Sequence, residues 1–119
     1  MPSVDDILGE GGLISKRLDG YESRAEQLDM ARAIDRAIDT RQHILAEAGT
    51  GVGKSFAYLV PTILHLADSH RKAVVSTYTI SLQEQLIEKD LPLLNEILPD
   101  TFRATLVKGR SNYLCFRRM

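Results

Sequence analysis

The sequence predicts an α/β fold in three layers, a parallel sheet with helices on both faces. Three observations predict it. Short apolar runs at 43–46, 73–77 and 104–107 have the length and composition of buried strands. Segments with helical periodicity separate them, so strands and helices alternate along the chain. A glycine-rich turn, residues 46–55, joins the first of these strands to the helix that follows.

Composition sets the outer bounds. At 119 residues the chain makes one domain at most, and 44 % hydrophobic residues suffice for a core of modest size. Fifteen basic residues against sixteen acidic ones leave no global field to mark a nucleic-acid partner. The distribution is less even: residues 101–119 hold Arg103, Lys108, Arg110, Arg117 and Arg118 and no acid. On charge alone this is a solvated basic tail or a surface facing a polyanion. The single cysteine, Cys115, rules out an intrachain disulfide framework and makes a reducing compartment the default. No apolar run approaches the ~18 residues of a membrane span, and Asp5, Asp6 and Glu10 come where a leader would be basic and then apolar. The expectation is a soluble cytoplasmic protein with no membrane partner.

The elements follow in chain order. Residues 4–18 read as two helical turns broken at Gly11-Gly12, and Asp19-Gly20 as a loop. A helix over about 24–40 places Leu28, Ala31, Ile34, Ala37 and Ile38 on one face, with Ser23 and Glu26 spaced as a capping box at its start. After the strand at 43–46 and the glycine turn, Phe56, Leu59, Val60, Ile63, Leu64 and Ala67 repeat as the buried face of a second helix. Pro61 lies inside it and removes one hydrogen bond, which predicts a kink near 57–61. The strand at 73–77 leads into helices over about 81–90 and 92–98, the first with Ser81 and Glu84 as a capping box. The strand at 104–107 follows. His43, His65 and His70 have no ligand spacing and read as structural or surface residues.

The glycine turn carries the chemistry. Ala46-Glu47-Ala48-Gly49-Thr50-Gly51-Val52-Gly53-Lys54-Ser55 is a phosphate-binding loop. Gly49, Gly51 and Gly53 admit backbone conformations that a Cβ would block. Successive N–H groups then form an anion-binding concavity, completed by the positive end of the next helix. Lys54 is placed to reach the β- and γ-phosphates, and the Ser55 hydroxyl to bind Mg²⁺. The strict pattern has glycine where this chain has Ala48, a substitution common in helicase-type loops.

Two further stretches flank it. Arg24 and Gln27 lie one turn apart shortly before the loop, and a glutamine amide offers the donor and acceptor that suit the N6/N7 edge of adenine. Residues 76–86 are hydroxyl-rich at the C-terminal end of a strand, where open sheets bind ligands. Their hydroxyls either contact nucleic-acid phosphates or cap the helix; the residues alone leave both open.

Taken together, these residues resemble the DinG/XPD family of superfamily 2 DNA helicases, from about Gly11 to Met119. Tyr21-Glu22-x-Arg24-x-x-Gln27 resembles the adenine-sensing Q motif, Ala46–Ser55 motif I, and Ser76–Leu86 motif Ia, with Thr77, Thr79 and Gln83 on the single-strand side. Lys108-Gly109-Arg110-x-Asn112-Tyr113-x-Cys115 resembles the start of the family's iron–sulfur insertion, with Phe116 where proline is common. The resemblance implies a partial RecA-like P-loop NTPase domain over 21–107, a lead-in over 1–20, and the beginning of the insertion over 108–119. It implies that Tyr21, Arg24, Gln27 and the residues from Ala48 through Ser55 bind ATP, that Ser55 binds Mg²⁺, and that Lys54 is catalytic. The partner would be single-stranded or forked DNA, unwound 5′→3′. Cys115 would be the first of four thiolate ligands to a [4Fe–4S] cluster, a group that one cysteine cannot hold.

ATP hydrolysis in such motors also needs an Asp-Glu-x-His acid pair and a second motor domain, and the 119 residues contain neither. The expectation is therefore an N-terminal piece of a helicase that binds nucleotide without turnover, folds marginally, and carries Cys115 as a free thiol on a poorly anchored tail. The rivals are a nucleotide-binding module and a P-loop ATPase or kinase without unwinding activity.

Overall fold

A computed structural model describes residues 3–18, 21, 24–49, 53–98 and 102–109. Ser3 opens the first helix. Its hydroxyl accepts from the Asp6 amide at 3.2 Å while the Asp6 carboxylate accepts from the Ser3 amide at 2.8 Å. This reciprocal cap starts α1 (Val4–Leu8). The glycines at 11 and 12 then turn the chain into α2 (Leu13–Arg17), as the sequence predicts. Ile7, Leu8 and Ile14 are wholly buried, so this lead-in is part of the core. Each such side chain contributes about 1.5–3 kcal/mol of transfer free energy.

The main packing unit is α3 (Ala25–Asp39) against α4 (Lys54–Ser69). Ala31 of α3 and Ala57, Leu59, Val60 and Ile63 of α4 form the seam. Arg24, not Ser23, is the N-cap residue of α3, and no side chain caps it there. The helix therefore starts at Ala25, one residue beyond the predicted start, and Ser23 lies outside the described residues. Pro61 is fully buried and α4 runs through it. Next to it, the Thr62 hydroxyl donates to the Tyr58 carbonyl one turn earlier, at 2.7 Å, a back-bond of the kind that often bends a helix.

The third unit is α5 (Ile80–Gln85), a π turn (Leu86–Asp90) and α6 (Leu91–Ile97), one continuous rod. Leu82, Leu86, Asp90, Leu94 and Leu98 recur every four residues along it, and the last four of these are buried. In an α-helix a four-residue repeat drifts by about 40° per step. The π turn, bonded from the Leu91 amide to the Leu86 carbonyl, is wider and takes up that drift. Two ion pairs tie the units together on the surface: Arg32 grips Asp5 through two bonds of 2.7 and 2.9 Å, and Arg17 meets Glu96 at 2.9 Å. The hydrogen bond from Arg32 holds the Asp5 carboxyl below its usual range.

The described residues hold no β-strand where the sequence predicts three. Residues 42–49, 70–77 and 102–109 run as irregular chain. Most of their apolar side chains face outward, Leu45 101 % and Val74 94 % exposed, whereas Phe102 packs against the core. Parallel strands complete their hydrogen bonds only through neighbours, and both faces of such a sheet need cover.

Candidate nucleotide site

Gly53 is where loop becomes helix. It is the N-cap residue of α4, at φ 73° and ψ 50°. That is the left-handed region, which favours glycine. A Cβ here would also meet Nε2 of Gln27, so that side chain would have to shift. No side chain caps α4. The first N–H groups of a 16-residue helix are thus left for an anion, at the positive end of its dipole. Lys54 opens this helix, is exposed, and forms no ion pair among the described residues.

Gln27 joins this loop to the chain 26 residues earlier. It is 3 % exposed. Its Nε2 donates to the Gly53 carbonyl at 3.0 Å, and its Oε1 accepts from the Tyr21 hydroxyl at 2.7 Å. The same hydroxyl lies 3.1 Å from the Leu8 carbonyl. Burial pushes the Tyr21 phenol above its usual pKa. Both ends of the Gln27 amide are therefore engaged with protein, not offered to a base edge. Arg24 stands apart from this network, exposed at the start of α3.

Ser55, the second residue of α4, is half-buried. Tyr58 and Asp90 are its titratable neighbours. Burial pushes the Tyr58 phenol upward, and a hydrogen bond with Ser55 partly offsets this. Burial raises the Asp90 carboxyl too, against hydrogen bonds from Gln85 and Ser55 and the charge of Lys89. Asp90 is 8 % exposed, and Gln85 Nε2 donates to its Oδ2 at 3.2 Å. Neither Tyr58 nor Asp90 is among the residues singled out from sequence. The signal for Asp90 is its place: one carboxylate inside a four-residue repeat of leucines.

The residues that resemble motif Ia are less unified. Thr79, not Ser81, is the N-cap residue of α5, its hydroxyl accepting from the Leu82 amide at 3.2 Å. The Thr77 hydroxyl donates to the Thr79 carbonyl at 3.3 Å, and Gln83 Nε2 to the Val107 carbonyl at 3.4 Å. Ala48 and Gly49 border a cleft of ≈ 460 Å³ that Glu26, Asp29 and Glu47 also line. Three carboxylates make that cleft a poor seat for phosphate. Thr50, Gly51, Val52 and Cys115 lie outside the described residues. Among the described residues no cluster of three His, Cys, Asp or Glu forms a metal site, and no helix is long and apolar enough to cross a membrane.

Left-handed glycine, uncapped helix start and following lysine form an arrangement of the P-loop class. Residues 28–112 match the DEAD/DEAH box helicase family, and the chain belongs to that family. It is 40 % identical over 116 residues to the ATP-dependent DNA helicase YoaA of Haemophilus influenzae, covering 98 % of this chain and 18 % of that protein. It is 44 % identical over 104 residues to the ATP-dependent helicase DinG of Mycobacterium tuberculosis, covering 84 % and 16 %. The 3′-5′ exonuclease DinG of Bacillus subtilis is 38 % identical over 107 residues, covering 90 % and 12 %. The chain thus spans less than a fifth of the length of these relatives. No solved structure matches it.

Proposed function

We propose that this chain serves ATP-dependent unwinding of DNA, as the nucleotide-binding part of a first motor domain. The observation that carries the reading is the hydrogen bond from Gln27 to Gly53. It joins the stretch that resembles an adenine-sensing motif to the loop that resembles a phosphate-binding one. In this reading the N–H groups from Gly49 through Ser55 and the Lys54 ammonium hold the triphosphate. Gln27 turns from Gly53 toward adenine when nucleotide enters, with Tyr21 and Arg24 beside it.

The residues fit Mg²⁺ as the companion ion. Ser55 supplies a hard hydroxyl oxygen next to the helix start, and Mg²⁺ takes few protein ligands when phosphates supply the others. Bound there, the ion neutralises phosphate charge. The apolar runs at 43–46, 73–77 and 104–107 become parallel strands of a RecA-like α/β/α domain over 21–107, after a lead-in over 1–20. Residues 108–119 begin an insertion that carries Cys115 toward a [4Fe–4S] cluster. Thr77, Thr79 and Gln83 face single-stranded or forked DNA, the polarity is 5′→3′, and the location is the cytoplasm.

A second reading has its own support. One relative sharing this segment is named an exonuclease, so the segment fits a nucleotide-binding module in more than one kind of enzyme. Titration of the 119-residue chain with a fluorescent ATP analogue and Mg²⁺ tests the common core. Lys54→Ala is expected to weaken binding about tenfold or more, through loss of a charge-assisted contact worth about 1.5–3 kcal/mol. Equal affinity of the variant would remove the phosphate-loop assignment. Phosphate release with and without single-stranded DNA then distinguishes motor from module.

A further inference from the structure

Gln27 is held at both ends, and the chemistry of each end is fixed. The Gly53 carbonyl can only accept, so the Gln27 amide nitrogen faces it and the amide oxygen faces Tyr21. The Tyr21 hydroxyl therefore donates to Gln27, at 2.7 Å. Its other neighbour, the Leu8 carbonyl at 3.1 Å, can also only accept. One hydroxyl proton thus stands between two acceptors. Leu8 is wholly buried and ends α1, where helix carbonyls have no intrahelical partner. The Gly53 carbonyl has a second donor as well, the Ala57 amide at 3.2 Å. Whatever Gln27 lets go of therefore keeps a partner: Gly53 has Ala57, and Tyr21 has Leu8.

We propose that Tyr21 is a positioning residue that hands Gln27 over to the base of a bound nucleotide, its hydroxyl turning from Gln27 to the Leu8 carbonyl as Gln27 leaves Gly53. A buried polar group left without a partner costs far more than the exchange of one partner for another. The Leu8 carbonyl turns the first case into the second. It also draws the hydroxyl its way, because it is the acceptor left short while Gln27 is held. Adenine offers the Gln27 amide a matching acceptor and donor, N7 and N6, whereas guanine offers two acceptors on the same edge. Adenine therefore completes the exchange and guanine does not. By this route α1 becomes part of the nucleotide site. Arg32 grips Asp5 of α1 from α3, the helix that carries Gln27, and so keeps the Leu8 carbonyl within reach of Tyr21.

The inference rests on Gln27 being the residue that meets adenine, and the test separates the two. NMR follows the Leu8 carbonyl carbon and the Gln27 side-chain amide of the 119-residue chain, with an ATP analogue, a GTP analogue and tripolyphosphate. With the ATP analogue both signals are expected to move, Leu8 to lower field, as a carbonyl does on gaining a hydrogen bond. Tripolyphosphate, which has no base, and the GTP analogue are expected to leave Leu8 in place. In Gln27→Ala the Tyr21 hydroxyl has only Leu8 to serve, so the Leu8 signal is expected at its ATP position before any ligand is added. In Tyr21→Phe that signal is expected at higher field than in the parent, with no response to the ATP analogue. Where Tyr21→Phe does not fold, Gln27→Ala carries the comparison. A Gln27 amide that moves with the ATP analogue beside a Leu8 carbonyl that stays would overturn the hand-over alone. So would a Leu8 signal at the parent position in Gln27→Ala. A Gln27 amide that ignores the ATP analogue, or answers the GTP analogue equally, would overturn the base-reading role and the inference with it.

Discussion

At the scale of single residues, the Tyr21–Gln27–Gly53 chain makes the sharpest claims. Gly53→Ala forces a side chain into the left-handed region, at a cost of roughly 1–2 kcal/mol, and also drives a Cβ against Gln27. Urea melts are expected to show the larger loss when Gln27 is present. In a Gln27→Ala background the collision disappears and only the backbone strain remains. An equal loss in both backgrounds would mean that Gln27 does not press on Gly53. Tyr21 adds a pH dependence. Burial raises its pKa above the ordinary 10.0, so the folded state keeps the phenol proton longer than the unfolded state. That contribution is present in full below pH 10.0 and is lost as pH climbs through the raised folded value. Stability is therefore expected to fall across this alkaline window, and the fall to be shallower in Tyr21→Phe. The same variant pays elsewhere, by about 1–3 kcal/mol at neutral pH, because Gln27 Oε1 is left buried without its donor.

At the scale of elements, the cap of α5 decides between two readings of the stretch that resembles motif Ia. Thr79→Ala is expected to cost about 1 kcal/mol by removing the bond to the Leu82 amide. Thr79→Ser and Thr79→Asp both keep a capping oxygen, so both are expected to restore the melt. Only serine also suits a DNA phosphate, which an added carboxylate repels. Single-strand affinity that survives in Thr79→Asp would limit Thr79 to capping. The helices themselves are legible in the sequence because their apolar faces repeat at three and four residues, as in Leu59, Val60 and Ile63. Their starts are less so. Two hydroxyls, Thr79 and Ser81, compete to cap one helix, and spacing to Glu84 favours the wrong one. The left-handed glycine that opens α4 is legible because the glycine-rich turn before it has the spacing of a phosphate-binding loop. The burial of Asp90 is not, because the π turn that it closes has no sequence code beyond a four-residue repeat. The strands are written only as apolar runs. A run such as Ala73-Val74-Val75 becomes a strand when a neighbour pairs with it, and that neighbour is not a local property.

At the scale of the whole molecule, the helical units carry their own core while the three apolar runs do not join it. Ile7, Leu8, Ile14, Val60 and Leu94 are buried among helices, whereas Leu45, Val74, Tyr78 and Val107 are 76–102 % exposed. Unpaired extended backbone beside apolar side chains is a template for another chain. The 119-residue chain is therefore expected to associate through these runs, and light scattering on dilution is expected to give a mass that falls with concentration. Leu45→Lys and Val74→Lys probe the cause directly. Both side chains are already in water, so replacing them removes almost no buried area, and surface changes of that kind stay within about 0.5 kcal/mol. The expected outcome is an unchanged melt of the helical core together with a lower associated fraction, since charge blunts edge pairing. A monomeric mass at every concentration would show that the runs find partners within the chain. A large loss of stability in either lysine variant would show the same thing by another route, because a residue wholly in water has no packing to lose.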